Sequence, residues 1–244
     1  MLDFASPIEW AIAAVTVFAG AAVQGTLGLG LAIVAVPILA TLDTAFVPVP
    51  IQLIAIVAAI SALVRERGHL DVRGAAWVLV GRVPGAALGL LALSLLTERA
   101  LGLVVGLVVL FGVVAMARGW TVPVTPFTQV ATGVTSGAMG LSTGVGGPPL
   151  GMLYRRRSGP QLRSTLGAVF TLGLGINLTT LAVAGRIGPR ELATAGVLVV
   201  PLMVGFALSG PITRRVPPAS LRAGVLAISA LAAIVLLVTV ALDG

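Results

Sequence analysis

Ser136-Gly137-Ala138-Met139-Gly140-Leu141-Ser142-Thr143-Gly144-Val145-Gly146-Gly147-Pro148-Pro149 stands in the middle of an otherwise apolar chain. No membrane helix runs through it undisturbed. Gly144, Gly146 and Gly147 weaken a helix, and Pro148 and Pro149 remove two backbone donors. Thr143 ends or caps a helix by its own preferences, and a proline just after a break starts a new one. The stretch therefore predicts a helix that stops, a few residues of bare backbone, and a second helix. In hydrocarbon such backbone is tolerated only where it is buried in protein or lines a wet cavity. The break is a candidate site rather than a linker.

A fainter copy lies upstream. Gln24-Gly25-Thr26-Leu27-Gly28-Leu29-Gly30, followed by Pro37, aligns with Ser136 to Ser142, followed by Pro149, at an offset of 112. Pro84 and Pro201 pair at an offset of 117. Weak internal symmetry with Gly/Pro interruptions at matching places marks a two-repeat transporter. The competing explanation is that small residues are common wherever membrane helices pack closely. The expected division is a first repeat over 1–117, a linker over 118–126 and a second repeat over 127–244, all in one membrane domain.

Composition agrees. Of 244 residues, 58% are hydrophobic and 9% charged, with a mean hydropathy of +1.12. An ordinary soluble domain carries about 25% charged residues. The apolar runs are continuous rather than alternating, which disfavours a membrane β-barrel. The fold class is all-α and polytopic. Lysine is absent, so all 15 basic residues are arginine. In a membrane protein the net charge of +7 reports cytoplasmic loops, not nucleic-acid affinity. Without cysteine, disulfides and thiolate metal sites are excluded. The single histidine, His69, falls in a charged loop. No metal and no cofactor are expected. The N-terminus has no basic region before its apolar run and does not resemble a cleaved signal peptide.

Apolar runs are expected over 8–23, 31–40, 48–64, 74–96, 101–117, 127–143, 148–154, 165–184, 192–212 and 221–241. The two broken segments decide the topology. If each is one interrupted crossing, the arginines divide almost evenly between the two faces. If each is a hairpin, Arg65, Arg67, Arg73, Arg118, Arg155, Arg156, Arg157, Arg163, Arg214, Arg215 and Arg222 share one face. Arg99, Arg186 and Arg190 then face the other, with Asp3, Glu9, Asp43, Glu98, Glu191 and Asp243. The positive-inside bias prefers the second arrangement. Two short crossings in place of each hairpin would give the same parity. The expectation is two inverted repeats, each a broken or re-entrant helix pair plus three transmembrane helices. Both termini lie outside, and the protein sits in the inner (plasma) membrane.

Inverted hairpins would bring two helix starts together near the midplane, where free N–H groups and dipoles favour an anion. Candidate binding residues at the breaks are Gln24, Gly25, Thr26, Gly28, Ser136, Gly137, Ser142, Thr143, Gly146 and Gly147. Gln52 and Asn177 on neighbouring crossings could face the same place. The plainer role for these polar groups is local bonding to backbone or to neighbouring helices. Arg82 is the one ionisable side chain deep in a crossing, a functional candidate by position. The alternative is that it snorkels to the interface. At the offset of 117 its partner is Val199.

These residues resemble the sulfite exporter TauE/SafE family, also called the 4-toluene sulfonate uptake permease family. Its repeats carry a small-Gly-x-x-Gly-x-Gly-Gly stretch and then an apolar run with proline. Gln24 to Gly30 with Pro37, and Ser136 to Gly140 with Gly144 to Pro149, carry the likeness, and the two-half layout extends it along nearly the whole chain. Leu31 stands where the first copy often has glycine, and the second copy has the extra Ser142-Thr143. The resemblance implies transport of sulfite, sulfonates or related small anions.

The leading expectation is a secondary transporter of small sulfur-containing anions. Rivals on the same scaffold are an anion channel and a carrier of another small organic anion. No Asp, Glu or His lies deep in an expected crossing, so export driven by the membrane potential, or passive exchange, is expected over side-chain proton coupling. An enzyme would lack a Cys, a buried His and paired carboxylates. The expected partners are a small anionic solute and the lipid bilayer, with no nucleic acid. A homodimer is left open.

Overall fold

A computed structural model describes residues 4–65, 70–157 and 159–242. Asp3, Glu66, Arg67, His69 and Asp243 lie outside the described residues. Ten α-helices make up the described chain: α1 (Pro7–Leu27), α2 (Leu31–Leu42), α3 (Val49–Arg65), α4 (Val72–Leu95), α5 (Glu98–Arg118), α6 (Pro126–Thr143), α7 (Gly147–Leu153), α8 (Gly159–Val183), α9 (Pro189–Arg215) and α10 (Pro218–Leu242). Seven elements are long and apolar enough to cross a bilayer. The chain is a polytopic helical membrane protein. Its outward surface fits this, because Val80, Val83, Leu88, Leu91, Leu107, Val200 and Leu231 are all exposed. In water so broad an apolar surface would aggregate.

Both broken elements begin with the same local device. Ser6 and Thr125 cap α1 and α6, each followed by proline at the first helical position. Glu9 and Thr128 reach back to the cap N–H groups at 2.6 and 2.9 Å. Each hydroxyl satisfies an orphan donor, and proline there sacrifices none. Both helices also end alike. Gly28 and Gly144 close them in the left-handed region, at φ 83°, ψ −9° and φ 82°, ψ −9°. These glycines stand at an offset of 116, one helical turn beyond the 112 read from sequence. The helices also run further than expected. Gln24, Gly25 and Thr26 belong to the last turn of α1, and the bare backbone is only 28–30 in the first copy and 144–146 in the second.

Each broken element is a hairpin with a long limb and a short return. α2 starts against α1, where a Cβ on Gly20 would lie 3.1 Å from Leu31. It finishes near the start of α1, with the Phe46 ring 5.0 Å from Trp10 and 5.1 Å from Phe4. α7 returns likewise, so that Val122 N–H, just ahead of α6, donates to the Met152 carbonyl at 3.2 Å. With 12 and 7 residues, α2 and α7 fall short of the ~20 a crossing requires.

Helix packing is reciprocal. α4 packs most extensively on α6, and α9 on α1; α3 crosses α8, and α5 crosses α10. α4 and α6 run parallel, since Gly81, Gly85 and Gly89 meet Val130, Val134 and Ala138 in turn. α9 runs parallel to α1, with Gly205 against Phe18 and Ser209 against Gly25. α3 and α8 are antiparallel, as are α5 and α10. Following these directions puts both ends of the described chain at one end of the bundle. Arg65, Arg73, Arg118, Arg155–Arg157, Arg163, Arg214, Arg215 and Arg222 lie at the opposite end.

The α4–α6 crossing is a backbone-to-backbone contact. A Cβ on Gly133 would fall within 3.0 Å of the Val78 carbonyl, and one on Gly81 within 3.0 Å of the Val130 carbonyl. Neither obstacle is a flexible side chain. Gly133→Ala should therefore destabilise the fold by about 1–3 kcal/mol through overpacking. Thermal unfolding of the detergent-solubilised protein would show a lowered Tm. Gly196→Ala, with nothing within 4 Å of the added methyl, should leave Tm unchanged or raise it, since alanine favours a helix interior by up to about 1 kcal/mol.

Candidate functional site

The two breaks line a common cavity. Gly30 and Leu29 come from the first, Gly144, Gly146 and Gly147 from the second, and Gln24, Arg82, Gly140 and Asn177 join them. Ala32, Ile33, Ala55, Phe170 and Leu174 complete an apolar wall. About 40 Å³ is open to the centre of a water-sized sphere, roughly three times what one enclosed water needs. A compact polar solute fits; a bulky one does not.

Arg82 is the charged group of this wall. It is 1% exposed, so it does not snorkel. Nη1 donates to the Val169 carbonyl at 3.2 Å and Nη2 lies 3.5 Å from the Ser136 carbonyl. Nε has no partner. No carboxylate pairs with the guanidinium among the described residues. It occupies a slot cut by missing side chains: a Cβ on Gly173 would lie within 3.0 Å of its Cζ and Nη1, and Cβ atoms on Gly140 and Gly146 would lie 3.3 Å from Nη2. A buried cation without a counter-charge is costly. Its remaining hydrogen-bonding capacity is directed at carbonyls or left over.

Asn177 sits on the same wall and is fully buried. Its orientation follows from a chain of bonds. Gln52 Nε2 donates to the Leu141 carbonyl at 3.2 Å, which turns Gln52 Oε1 toward Asn177. Asn177 must then present Nδ2, at 3.0 Å. Its Oδ1 is left buried without a donor. Gln52 itself acts behind Asn177 and is not on the cavity wall.

Gln24 lines the cavity, and its Oε1 accepts from Leu31 N–H, the first amide of α2, at 3.2 Å. Part of the amide end of α2 is thus already occupied by protein. At the second break Pro148 and Pro149 carry no N–H, so the free amides there reduce to those of Gly146 and Gly147. Side chains therefore take a larger share of this wall than bare backbone does.

Several sequence candidates lie elsewhere. Gly25 packs on Ser209 and Phe206 of α9, and its carbonyl accepts from Arg65 Nη2. Thr26 bonds the Ala22 carbonyl at 2.9 Å, and Ser142 the Ala138 carbonyl at 2.8 Å. Thr143 bonds the Met139 carbonyl and accepts from Val145 N–H, as a cap does. Gly137 packs on α4, Gly28 on Arg163. Ser136 Oγ donates to the Gly146 carbonyl at 2.6 Å and braces the break from behind. The site thus brings together Gln24, Arg82, Gly146, Gly147 and Asn177. Sequence reading missed Gly30, Gly140, Gly144, Phe170, Gly173 and Leu174. One signal was present: Phe170, Gly173 and Asn177 are three and four residues apart, one helix face.

The cavity is unequal between the halves. Gly85 meets the Val134 carbonyl as Gly205 meets that of Phe18, and Val134 and Phe18 stand at the offset of 116. Gly85 of α4 thus answers to Gly205 of α9, an offset of 120 for this pair of helices, which sets Arg82 opposite Leu202, not Val199. Leu202 is buried and apolar. The other end of the α3–α8 crossing has Leu63 against Gly167.

The family described as sulfite exporter TauE/SafE matches residues 12–236. No curated protein matches the chain. No solved structure does either.

Proposed function

The chain belongs to the sulfite exporter TauE/SafE family, whose members are membrane transporters, and from that premise we propose that it carries a small sulfur-containing anion, sulfite or an organosulfonate, through the cavity between the two breaks. The observation that carries the reading is Arg82: a guanidinium in the bundle interior, unpaired by any carboxylate among the described residues, on the wall of a cavity sized for a compact solute. An anion seated there supplies the missing counter-charge. Asn177, Gly146 and Gly147 supply neutral donors around it, and the aliphatic wall excludes bulk water.

The two halves, α1–α5 and α6–α10, act in this reading as inverted repeats. Opposed directions of α1 and α6, reciprocal packing and matching left-handed caps support it. Concentration of arginine at one end supports placing that end in the cytoplasm of a cell whose inner membrane holds the protein, with both termini outside. Among the described residues the cavity wall carries no carboxylate or imidazole, which favours export driven by the membrane potential, or passive exchange, over side-chain proton coupling. One charge moved across 100 mV gains about 2.3 kcal/mol.

Tracer flux in proteoliposomes tests this. Sulfite efflux should follow an imposed inside-negative potential with no pH gradient. Uphill accumulation of methanesulfonate driven by a pH gradient alone would contradict it. Ser142→Ala, whose hydroxyl bonds its own helix, should keep flux within about twofold of the parent, since removing such a local bond shifts energies by tenths of a kcal/mol.

A further inference from the structure

We propose that the cavity discriminates by charge number, accepting singly charged oxyanions such as hydrogensulfite or an alkylsulfonate and rejecting doubly charged ones such as sulfate. The proposal rests on the reading of this cavity as the anion site, and it names which anions that site takes.

Charge balance is the first ground. Among the described residues Arg82 is the one charged side chain on the cavity wall. The elements packed around it add no second charge there. α6 and α7 contain no ionisable residue. α8 contributes Arg163, which packs against Gly28, and α4 contributes Arg73 in its first turn, about two turns before Arg82. One anionic charge beside one guanidinium leaves the buried complex neutral. A second leaves a net charge in a dry interior, where uncompensated charge is most expensive.

Hydrogen-bond chemistry is the second ground. Asn177 holds Oδ1 buried without a donor, and the Gln52 bond fixes that orientation. Sulfate brings four acceptor oxygens and no proton, and sets oxygen against oxygen. An alkylsulfonate, also without a proton, avoids this by turning its carbon end rather than an oxygen toward Oδ1. A monoprotonated oxyanion brings a proton that Oδ1 accepts, while its remaining oxygens face Arg82. The apolar side, with Phe170 and Leu174, equally suits the carbon end of an alkylsulfonate and offers nothing to a fourth charged oxygen.

The experiment is calorimetric titration of the detergent-purified full chain with methanesulfonate, sulfate and sulfite, on both sides of neutrality. Methanesulfonate and sulfate are similar tetrahedra that differ chiefly in charge. Methanesulfonate should bind at least about tenfold more tightly than sulfate, each tenfold being one decade in Kd. Its affinity should be flat with pH. The affinity for total sulfite should fall as pH rises and hydrogensulfite gives way to the dianion. Sulfate binding within threefold of methanesulfonate overturns the charge rule. Arg82→Gln separates the two levels of inference. If it abolishes two equal affinities, the anion site stands and charge selection falls. If it leaves binding intact, or if the parent binds none of the three, both fall.

Discussion

Arg82→Gln should reduce anion binding and flux by about two to three orders of magnitude, because removing one member of a buried, hydrogen-bonded charge pair costs about 2–5 kcal/mol. The same change should leave Tm unchanged or raise it. Among the described residues no carboxylate stands beside this buried guanidinium, and replacing it by a shorter neutral amide relieves desolvation. Function and stability thus move in opposite directions, which a misfolded variant cannot imitate. Arg82→Lys keeps the charge but loses the planar fork that spans Val169 and Ser136. It should recover only part of the lost flux. Tracer flux and thermal unfolding on the same preparations decide the matter, and parental flux in Arg82→Gln would remove the residue from the site.

That the chain is a polytopic helical membrane protein was legible in its long apolar runs. Arginine on one face, with glycine-proline breaks that cannot be threaded through lipid, is what suggests the proposed parity. Both signals are local in sequence and survive any packing arrangement. The exact register was not. Small residues recur every turn, so across the break an offset of 112 matches more letters (Gly25, Gly28, Leu29 and Pro37) than 116 does (Gly28 and Gly30). Only the backbone conformation of Gly28 and Gly144 distinguishes a cap from a packing glycine one turn earlier. The same ambiguity misplaced Gly25, Gly137 and the hydroxyls of Thr26 and Ser142. A hydroxyl on a membrane helix reads the same whether it faces a cavity or bonds back one turn, and here these two bond back. Arg82 and Asn177 stood out because a charge or an amide in an apolar run must be accounted for. Gly173 did not, because its function is to be absent: it leaves the room that the guanidinium fills.

Asn177→Asp should abolish anion binding almost as fully as loss of Arg82, and by the opposite route. Aspartate is nearly isosteric with asparagine, so the packing of α8 against α3 is retained. A carboxylate there would face both Gln52 and the cavity. Cβ atoms built on Gly140 fall 3.3 Å from both Arg82 Nη2 and Asn177 Nδ2, so the two side chains border one small space. The new carboxylate would supply the counter-charge that the solute otherwise brings, and a second anion would then meet a neutral pair instead of a free cation. In an interior of low effective dielectric, opposite charges this close interact by several kcal/mol, enough to exclude a competing solute by about 100-fold or more. Asn177→Ala is the control. It deletes the amide without adding charge and should weaken binding by about fivefold, the worth of a single hydrogen bond near 1 kcal/mol. Titration of both variants with methanesulfonate gives the ranking. If Asn177→Asp binds no worse than Asn177→Ala, then Arg82 does not meet the solute across from Asn177, and the charge account of the cavity fails.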